Sequence, residues 1–206
     1  MAARRYGTGV GGPGVVAAAV VAGYLLGSIP VAVLYGRARG FDPRAVGDHN
    51  PGYWNTRAQV GSRSAAPVFV GDTAKGFAAG GLGVLLAGDT WGIAYAAVAA
   101  AMVGHAYPVF ARFRGGRSVL TFAGGMLAVS PLAAAVAVLA CVAVSVATRR
   151  FAVCARVGVF GFPLVQLVVE PVTRVAGTGA LLTIIGLRFA LAVADRRQRG
   201  PDRSAG

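Results

Sequence analysis

The sequence predicts an all-α fold, a polytopic bundle of membrane-spanning helices, from two observations. Of the 206 residues, 56% are hydrophobic and only 13% are charged, a more apolar composition than one water-soluble core of this size requires. The apolar residues also form long runs, and about 20 such residues are enough for a helix to cross a bilayer. The runs cover approximately residues 14–36, 65–87, 90–111, 118–147 and 157–194.

The net charge of +13 predicts an orientation in the membrane. The arginines lie between the apolar runs and do not form one patch interleaved with stacking aromatic residues, so nucleic-acid binding is not expected. Clusters of this kind are typical of cytoplasmic loops. We therefore expect a multi-pass protein of the cytoplasmic (inner) cell membrane, with the N-terminus outside and the C-terminus in the cytoplasm. The clusters are Arg37, Arg39, Arg44, Arg57 and Arg63; Arg112, Arg114 and Arg117; Arg149, Arg150 and Arg156; and Arg196, Arg197, Arg199 and Arg203.

The number of spans depends on two breaks inside the longer runs. Ser130-Pro131 and Glu170-Pro171 interrupt the apolar pattern, because proline removes a backbone donor and restricts the residue before it. Two short helices around Ser130-Pro131 and a hairpin at Glu170-Pro171 give about seven spans, and a five-span arrangement is the alternative. We expect one domain over residues 1–198 and a disordered cytoplasmic tail over 199–206.

The first basic connection has a composition suited to binding a phosphate group. Glycines leave backbone N–H groups accessible, and arginine and asparagine side chains supply further donors. An ordinary cytoplasmic loop has a similar composition, so this segment alone does not decide between the two interpretations. The residues concerned are Arg44, Gly47, Asn50, Gly52 and Asn55.

Two charged residues interrupt the second apolar run. Asp72 and Lys75 are three residues apart and therefore share one helix face, inside a segment where an uncompensated charge costs about 2.5–3.5 kcal/mol. Lys75 is also the only lysine of the chain. Two interpretations remain open: a self-neutralising pair that helps helix packing, or a lysine that faces a phosphate group.

A third cluster follows the third apolar run. His105 precedes a turn in which Gly115 and Gly116 allow close approach of a ligand and Arg117 adds positive charge. A single histidine in such a place is more often structural than catalytic. Cysteine, histidine and carboxylate residues do not show metal-ligand spacing, so neither a metal ion nor a cofactor is expected.

Taken in order, these motifs resemble those of the bacterial acyl-phosphate-dependent glycerol-3-phosphate acyltransferases, the PlsY family. The resemblance extends over nearly the whole chain. It implies a membrane enzyme that transfers a fatty acyl group from acyl phosphate to the 1-hydroxyl of glycerol 3-phosphate, giving lysophosphatidic acid for phospholipid biosynthesis. The matching segments are Gly27-Ser28-Ile29-Pro30, Asp42-Pro43-Arg44, residues 47–55, Asp72 to Gly76, and Gly104-His105 to Gly116.

The resemblance also implies roles for individual residues. The catalytic group would be Ser28, Arg44, Lys75 and His105. Substrate phosphate would accept the proton of the attacking hydroxyl, because no dedicated protein base is evident. The substrate-binding group would be Gly47, Asn50, Gly52, Asn55, Asp72, Gly115, Gly116 and Arg117.

Departures from the family pattern leave a second functional hypothesis open. Asp48 and His49 stand where the family has Ser-Gly, Arg117-Ser118 replaces Lys-Gly, and residues 195–198 stand where the family has a C-terminal His-Arg-x-Asn. A carboxylate disfavours anion binding in its neighbourhood. The alternative is therefore a catalytically degenerate relative that binds lipid or phosphate, or that assists a phospholipid-synthesis complex. Oligomeric state and acyl-chain length are not predicted.

Overall fold

The computed structural model describes residues 11–88, 90–149 and 151–199. Within these ranges the chain is built from α-helices, joined by turns and one short 3-10 segment at Val109–Ala111, and contains no β-strand. Of the predicted tail over 199–206, only Arg199 is described, and it ends the last helix. The helices are α1 Pro13–Gly27, α2 Val31–Ala38, α3 Tyr53–Val60, α4 Ala66–Ala87, α5 Trp91–Ala106, α6 Val119–Val129, α7 Pro131–Thr148, α8 Phe151–Val169 and α9 Val172–Arg199.

The predicted all-α membrane bundle is confirmed. Within the described ranges, four helical segments are long and apolar enough to cross a membrane, and two shorter apolar helices accompany them. The number of complete crossings and the side of the membrane on which each terminus lies stay predictions. The long segments are Pro13–Ala38, Trp91–Ala111, Pro131–Thr148 and Val172–Asp195, and the shorter ones are Val119–Val129 and Val157–Val169.

The helix breaks lie where the prolines predicted them. Ser130 separates α6 from α7, and Glu170-Pro171 separates α8 from α9. Of the two helices predicted to be short, α6 has 11 residues, whereas α7 has 18 and passes the length requirement. Helix α3 was not predicted, because its eight residues carry no apolar run; the hydroxyl of Thr56 donates to the carbonyl of Gly52 in its first turn.

Helix α4 lies at the centre of the bundle and packs against α1, α5 and α6. The crossing of α4 and α6 depends on glycine: a Cβ on Gly76 would overlap the backbone carbonyl of Thr121, and a Cβ on Gly124 would overlap that of Thr73. Such close approach of backbones is the usual mode of helix association in membranes. It holds the charged residues of α4 against the neighbouring helices.

A buried polar network joins the helices on either side of the two breaks. The side-chain nitrogen of Gln166 lies 3.1 Å from Tyr95 Oη, 3.0 Å from Ser130 Oγ and 3.0 Å from Glu170 Oε2, and its side-chain oxygen accepts from Thr178 Oγ1 at 2.6 Å. Gln166, Ser130 and Thr178 are fully buried. Polar groups away from water must be paired, so one glutamine connects α5, the α6–α7 junction, α8 and α9.

We predict that Gln166→Leu destabilises the bundle. The change removes the Gln166 oxygen that accepts from Thr178 at 2.6 Å and the Gln166 donor near Ser130 and Tyr95, at a cost of about 1–3 kcal/mol. Thermal unfolding in detergent micelles measures the effect. The matched control is Thr183→Val, because that hydroxyl is exposed and bonds only within its own helix, to Gly179. Equal melting temperatures for the two variants would contradict the assignment of Gln166 as the connecting residue.

Candidate functional site

A buried ion pair forms the centre of the candidate site. Lys75 Nζ lies 2.8 Å from Asp72 Oδ1, and the two side chains are only 4% and 2% exposed. The same ammonium group donates to the carbonyl of Ile29 at 2.9 Å, and His105 Nδ1 lies 3.5 Å from Asp72 Oδ1. The spacing prediction that Asp72 and Lys75 share a helix face is confirmed. The pair neutralises itself and also connects α4 to the end of α1 and to α5.

Ser28 precedes Ile29, whose carbonyl binds Lys75, and carries a buried hydroxyl without a hydrogen-bond partner among the described residues. The residue is 0% exposed, and the carbonyl of its neighbour Ile29 accepts from Lys75. A cavity of about 10 Å³ is lined by both chain neighbours of Ser28, Gly27 and Ile29, and among others by Lys75, His105 and Gly116. Leaving a buried hydroxyl unpaired is costly. Such a group therefore marks a position where a ligand or an ordered water supplies the missing bond.

Arg44 is held by its own loop. Its guanidinium group contacts Asp42 at 2.6 Å and 2.9 Å and donates to the carbonyl of Ala111 at 3.2 Å. The hydrogen bonds from Arg44 lower the pKa of Asp42 to about 2, and Asp42 raises the pKa of Arg44. The pair is therefore fully charged at neutral pH, and it fastens the first basic connection to the segment between α5 and α6.

Gly47 and Asn55 fix the backbone conformation of this connection. The side-chain amide of Asn55 donates to the carbonyls of Pro43 at 2.7 Å and Val46 at 2.9 Å, and the residue is buried. Gly47 has a φ of +61°, and a Cβ there would overlap the Asn55 side-chain oxygen. Both residues therefore determine where the loop lies. They would support the binding role that the resemblance implied by positioning the loop, without contacting the substrate themselves.

The double-glycine turn packs directly on His105. The N–H of Gly116 donates to the carbonyl of His105 at 3.0 Å, and a Cβ on Gly116 would overlap His105 Nε2. On the other side, Arg188 of α9 donates to the carbonyls of Gly115 and Gly116, both at 3.1 Å. Its guanidinium group also lies 4.7 Å from the centre of the Tyr107 ring.

Arg188 was not predicted as a site residue. The C-terminal family motif aligns with residues 195–198, whereas α9 brings Arg188 to the glycine turn and Phe189 to Arg117. Asp195 does line the adjoining cavity. The available signal was the charge itself, because an arginine within the last apolar run is costly unless it is paired.

Arg117 is placed between a carboxylate and an aromatic ring. Its Nη1 lies 3.0 Å from Asp48 Oδ2, and its guanidinium carbon lies 4.8 Å from the centre of the Phe189 ring. Its Nε is buried without a hydrogen-bond partner. The other Asp48 oxygen, Oδ1, accepts the backbone N–H of Asn50 at 3.2 Å. The carboxylate that departs from the family pattern is thus bound to a predicted substrate-binding arginine.

Three further cavities share walls and lead from the polar site into the bundle. The first measures about 470 Å³ and the second about 60 Å³, and Asn50 and Arg117 line both. The third, of about 290 Å³, is apolar and shares Tyr53 and Trp54 with the second. Polar residues of the first are Arg44, Asp48, His49, Asn50, Arg114, Arg117, Arg188 and Asp195, and those of the second include Asp72, His105 and Ser118.

The structure thus gathers most of the predicted site residues. Asp72, Lys75, His105, Gly115 and Gly116 line the small cavity of about 10 Å³, and Ser28 is represented there only by its chain neighbours Gly27 and Ile29. Asn50, Gly52 and Arg117 line the second cavity, which also reaches Asp72 and His105, and Arg44 lines the first. Within the described residues, no group of three or more His, Cys, Asp or Glu side chains has the arrangement of a metal site.

Fold and site together define an integral membrane protein with a cationic pocket that opens into an apolar cavity between its helices. The family profile described as glycerol-3-phosphate acyltransferase matches residues 17–199. The chain belongs to this family.

Individual relatives support the same assignment. The glycerol-3-phosphate acyltransferase of Laribacter hongkongensis is 38% identical over 176 residues, which cover 82% of this chain and 83% of the relative. That of Bordetella pertussis is 39% identical over 166 residues, covering 79% and 73%. That of Rubrobacter xylanophilus is 46% identical over 112 residues, covering 54% of this chain and 56% of the relative.

Two solved structures share the fold. One is PlsY (YgiH), an integral membrane glycerol 3-phosphate acyltransferase, in its glycerol 3-phosphate form, with a TM-score of 0.76 and 28% identity. It covers 93% of this chain and 96% of that chain. The lysophosphatidic acid form of PlsY has a TM-score of 0.74 and 27% identity, covering 93% and 95%.

We predict that Gly116→Ala displaces the His105 imidazole, because the added methyl group needs the space that Nε2 occupies. The melting temperature should fall, by the equivalent of about 1–3 kcal/mol for overpacking, and the imidazole resonances of His105 should shift. His49 is the only other histidine, so a His49→Gln variant assigns the spectrum. Gly92→Ala is the control, because no atom lies within 4 Å of the added Cβ. Unchanged His105 resonances in Gly116→Ala would contradict the packing described.

Proposed function

We propose that this protein transfers a fatty acyl group from acyl phosphate to the 1-hydroxyl of glycerol 3-phosphate and so produces lysophosphatidic acid. We further propose that it works at the cytoplasmic face of the cell membrane. Family membership and the glycerol 3-phosphate and lysophosphatidic acid forms of PlsY support the acceptor and the product. The basic connections, which include Arg44 and Arg117, support the cytoplasmic orientation.

One observation carries the proposal: the Ser28 hydroxyl is buried without a hydrogen-bond partner, and the carbonyl of the next residue, Ile29, accepts a hydrogen bond from the buried Lys75 ammonium group. Lys75 is held by Asp72 and by the carbonyl of Ile29, so its position is fixed before substrate binds. Groups that are already oriented and partly desolvated stabilise developing negative charge without reorganisation. A phosphoryl oxygen next to Ser28 would satisfy the hydroxyl and would lie close to the ammonium group.

The reaction needs positioning more than covalent chemistry from the protein. The 1-hydroxyl oxygen attacks the acyl carbonyl carbon, the bond from that carbon to the phosphate oxygen breaks, and inorganic phosphate leaves. The hydroxyl proton passes to a phosphate oxygen, so the products are lysophosphatidic acid and phosphate. Holding two anionic reactants in register lowers the barrier by proximity. We assign this role to Ser28, Lys75, His105 and Arg117, with Asp72 holding Lys75 in place.

The acyl chain is assigned to the apolar cavity of about 290 Å³ between α6, α7 and α8. Tyr53 and Trp54 form its boundary with the polar cavity; their rings meet edge to face with centres 5.4 Å apart. A chain that enters past these rings leaves its carbonyl group near Arg117. The remaining wall is aliphatic and aromatic, which suits a fatty acyl group.

A second candidate function is a relative that binds phosphate or lipid without acyl transfer. The ion pair of Asp48 and Arg117 favours this second function, because the Asp48 carboxylate binds an arginine that the first function assigns to substrate. Under this alternative, the purified and folded protein binds phosphate but makes no lysophosphatidic acid.

We predict that Ser28→Ala lowers acyl transfer by at least about tenfold, the effect of losing one preorganised donor, without lowering the melting temperature. Among the described residues the hydroxyl has no hydrogen-bond partner, so its removal costs no folding energy there. The assay is formation of lysophosphatidic acid from acyl phosphate and labelled glycerol 3-phosphate in detergent. Thr183→Val, at an exposed hydroxyl of α9, is the control.

Two results would count against the proposal in different ways. Absence of product from well-folded wild-type protein would refute acyl transfer and favour the second candidate. Full activity in Ser28→Ala would refute the assignment of substrate to this hydroxyl while leaving the reaction itself in place.

A further inference from the structure

We propose that Asp48 is an internal anion that occupies Arg117 in the empty site and is displaced when a phosphate group binds, so that it sets the affinity for the phosphate-bearing substrate. For the identity of that substrate the inference rests on the proposed function. The competition itself concerns a phosphate group and one arginine, and it is measurable without turnover.

The geometry places the Asp48 carboxylate in the position of a ligand. Asp48 Oδ2 lies 3.0 Å from Arg117 Nη1, and Asp48 Oδ1 accepts the Asn50 N–H at 3.2 Å. A phosphate group bound by a guanidinium and a backbone N–H uses the same two kinds of donor. Asp48, Asn50 and Arg117 all line the cavity of about 470 Å³. The carboxylate therefore stands where a phosphate oxygen of the substrate is expected.

The guanidinium group of Arg117 has a buried donor that its contact with Asp48 leaves unused. Its Nε is buried and has no hydrogen-bond partner, whereas its Nη1 is used by Asp48. The Phe189 ring supports the guanidinium plane from one side. A phosphate group offers several oxygens with more total charge than a carboxylate, and it can engage two donors of one arginine. Phosphate therefore gains a contact on Arg117 that the carboxylate does not make.

Three other cations near the site, Lys75, Arg44 and Arg188, differ from Arg117 in what holds them. Lys75 is bound by Asp72 on its own helix, Arg44 by Asp42 two residues away, and Arg188 by two backbone carbonyls. In each of these contacts the partner is either two or three residues away in the sequence or a backbone carbonyl. The ion pair of Asp48 and Arg117 instead joins two separate connections. It can open without breaking a helix, so it is the contact that a ligand can replace.

Displacement follows from electrostatics. If phosphate bound Arg117 while Asp48 stayed in contact, two anions would share one cation at close range, and like charges disfavour each other. Movement of Asp48 needs no more than a rotation of its side chain, because that side chain is 28% exposed and lines the cavity of about 470 Å³. The loop stays fixed by Asn55.

The test is binding of inorganic phosphate to purified full-length protein in detergent, measured by titration calorimetry for wild type and Asp48→Asn. Asparagine keeps the oxygen that accepts the Asn50 N–H and replaces the charged oxygen that faces Arg117 with a neutral amide group. The account predicts that the dissociation constant for phosphate falls by about tenfold, the scale of one partly exposed charged contact. An unchanged or higher dissociation constant in Asp48→Asn, with an unchanged melting temperature, would overturn the proposal.

Two further variants distinguish displacement of Asp48 from Arg117 from the general effect of negative charge near the cavity. Asp195→Asn removes the same charge from another wall of the same cavity and should change the dissociation constant less than Asp48→Asn does. In an Arg117→Gln background, Asp48→Asn should have little further effect, because the arginine for which it competes is gone. An equal effect of Asp195→Asn, or a full effect in the Arg117→Gln background, would show that Asp48 acts only through net charge.

Kinetics give an independent readout. If acyl transfer is observed, Asp48→Asn should lower the KM for glycerol 3-phosphate or for acyl phosphate with kcat within about twofold of wild type. A fall in kcat at constant KM would overturn the proposal, because it would assign Asp48 to the chemical step. If no acyl transfer is observed, the proposed function fails, and the phosphate titrations still decide the role of Asp48.

Discussion

The candidate site depends on one interaction, the buried ion pair of Asp72 and Lys75. An unpaired charge at either position would be expensive inside the bundle, so each residue requires the other. Lys75 also donates to the carbonyl of Ile29, which fixes the end of α1 and with it Ser28. His105 faces the same carboxylate and carries the Gly115-Gly116 turn. Three helices and one loop are thereby arranged around a single cation.

The pocket is cationic, yet its main charges already have partners inside the protein. Arg44 binds Asp42, Arg188 binds the glycine turn, and Arg117 binds Asp48. The first two contacts build the walls of the pocket, so the substrate meets a preformed surface. The third engages an arginine that we assign to the substrate. Under that assignment, binding of a phosphate group requires the Asp48 carboxylate to leave Arg117.

Much of the fold and part of the site followed from local sequence features. The Asp72–Lys75 face and the breaks before Pro131 and Pro171 were predictable, because helix periodicity and proline chemistry act over a few residues. Arg188 was not, because its role depends on how α9 lies against the glycine turn. Arg44 was predicted as a phosphate ligand, but spacing did not show that Asp42 and the Ala111 carbonyl would engage it. The unpartnered state of the Ser28 hydroxyl depends on packing around the whole site.

The most direct test of this account is phosphorus NMR of acyl phosphate and glycerol 3-phosphate incubated with the purified protein and with Lys75→Met. The account predicts that wild type converts glycerol 3-phosphate into lysophosphatidic acid with release of one inorganic phosphate per product. Lys75→Met, shown to be folded by its elution profile, should form none. Equal product formation by Lys75→Met, or release of phosphate without lysophosphatidic acid by wild type, would contradict the assignment of this ion pair as the centre of the site.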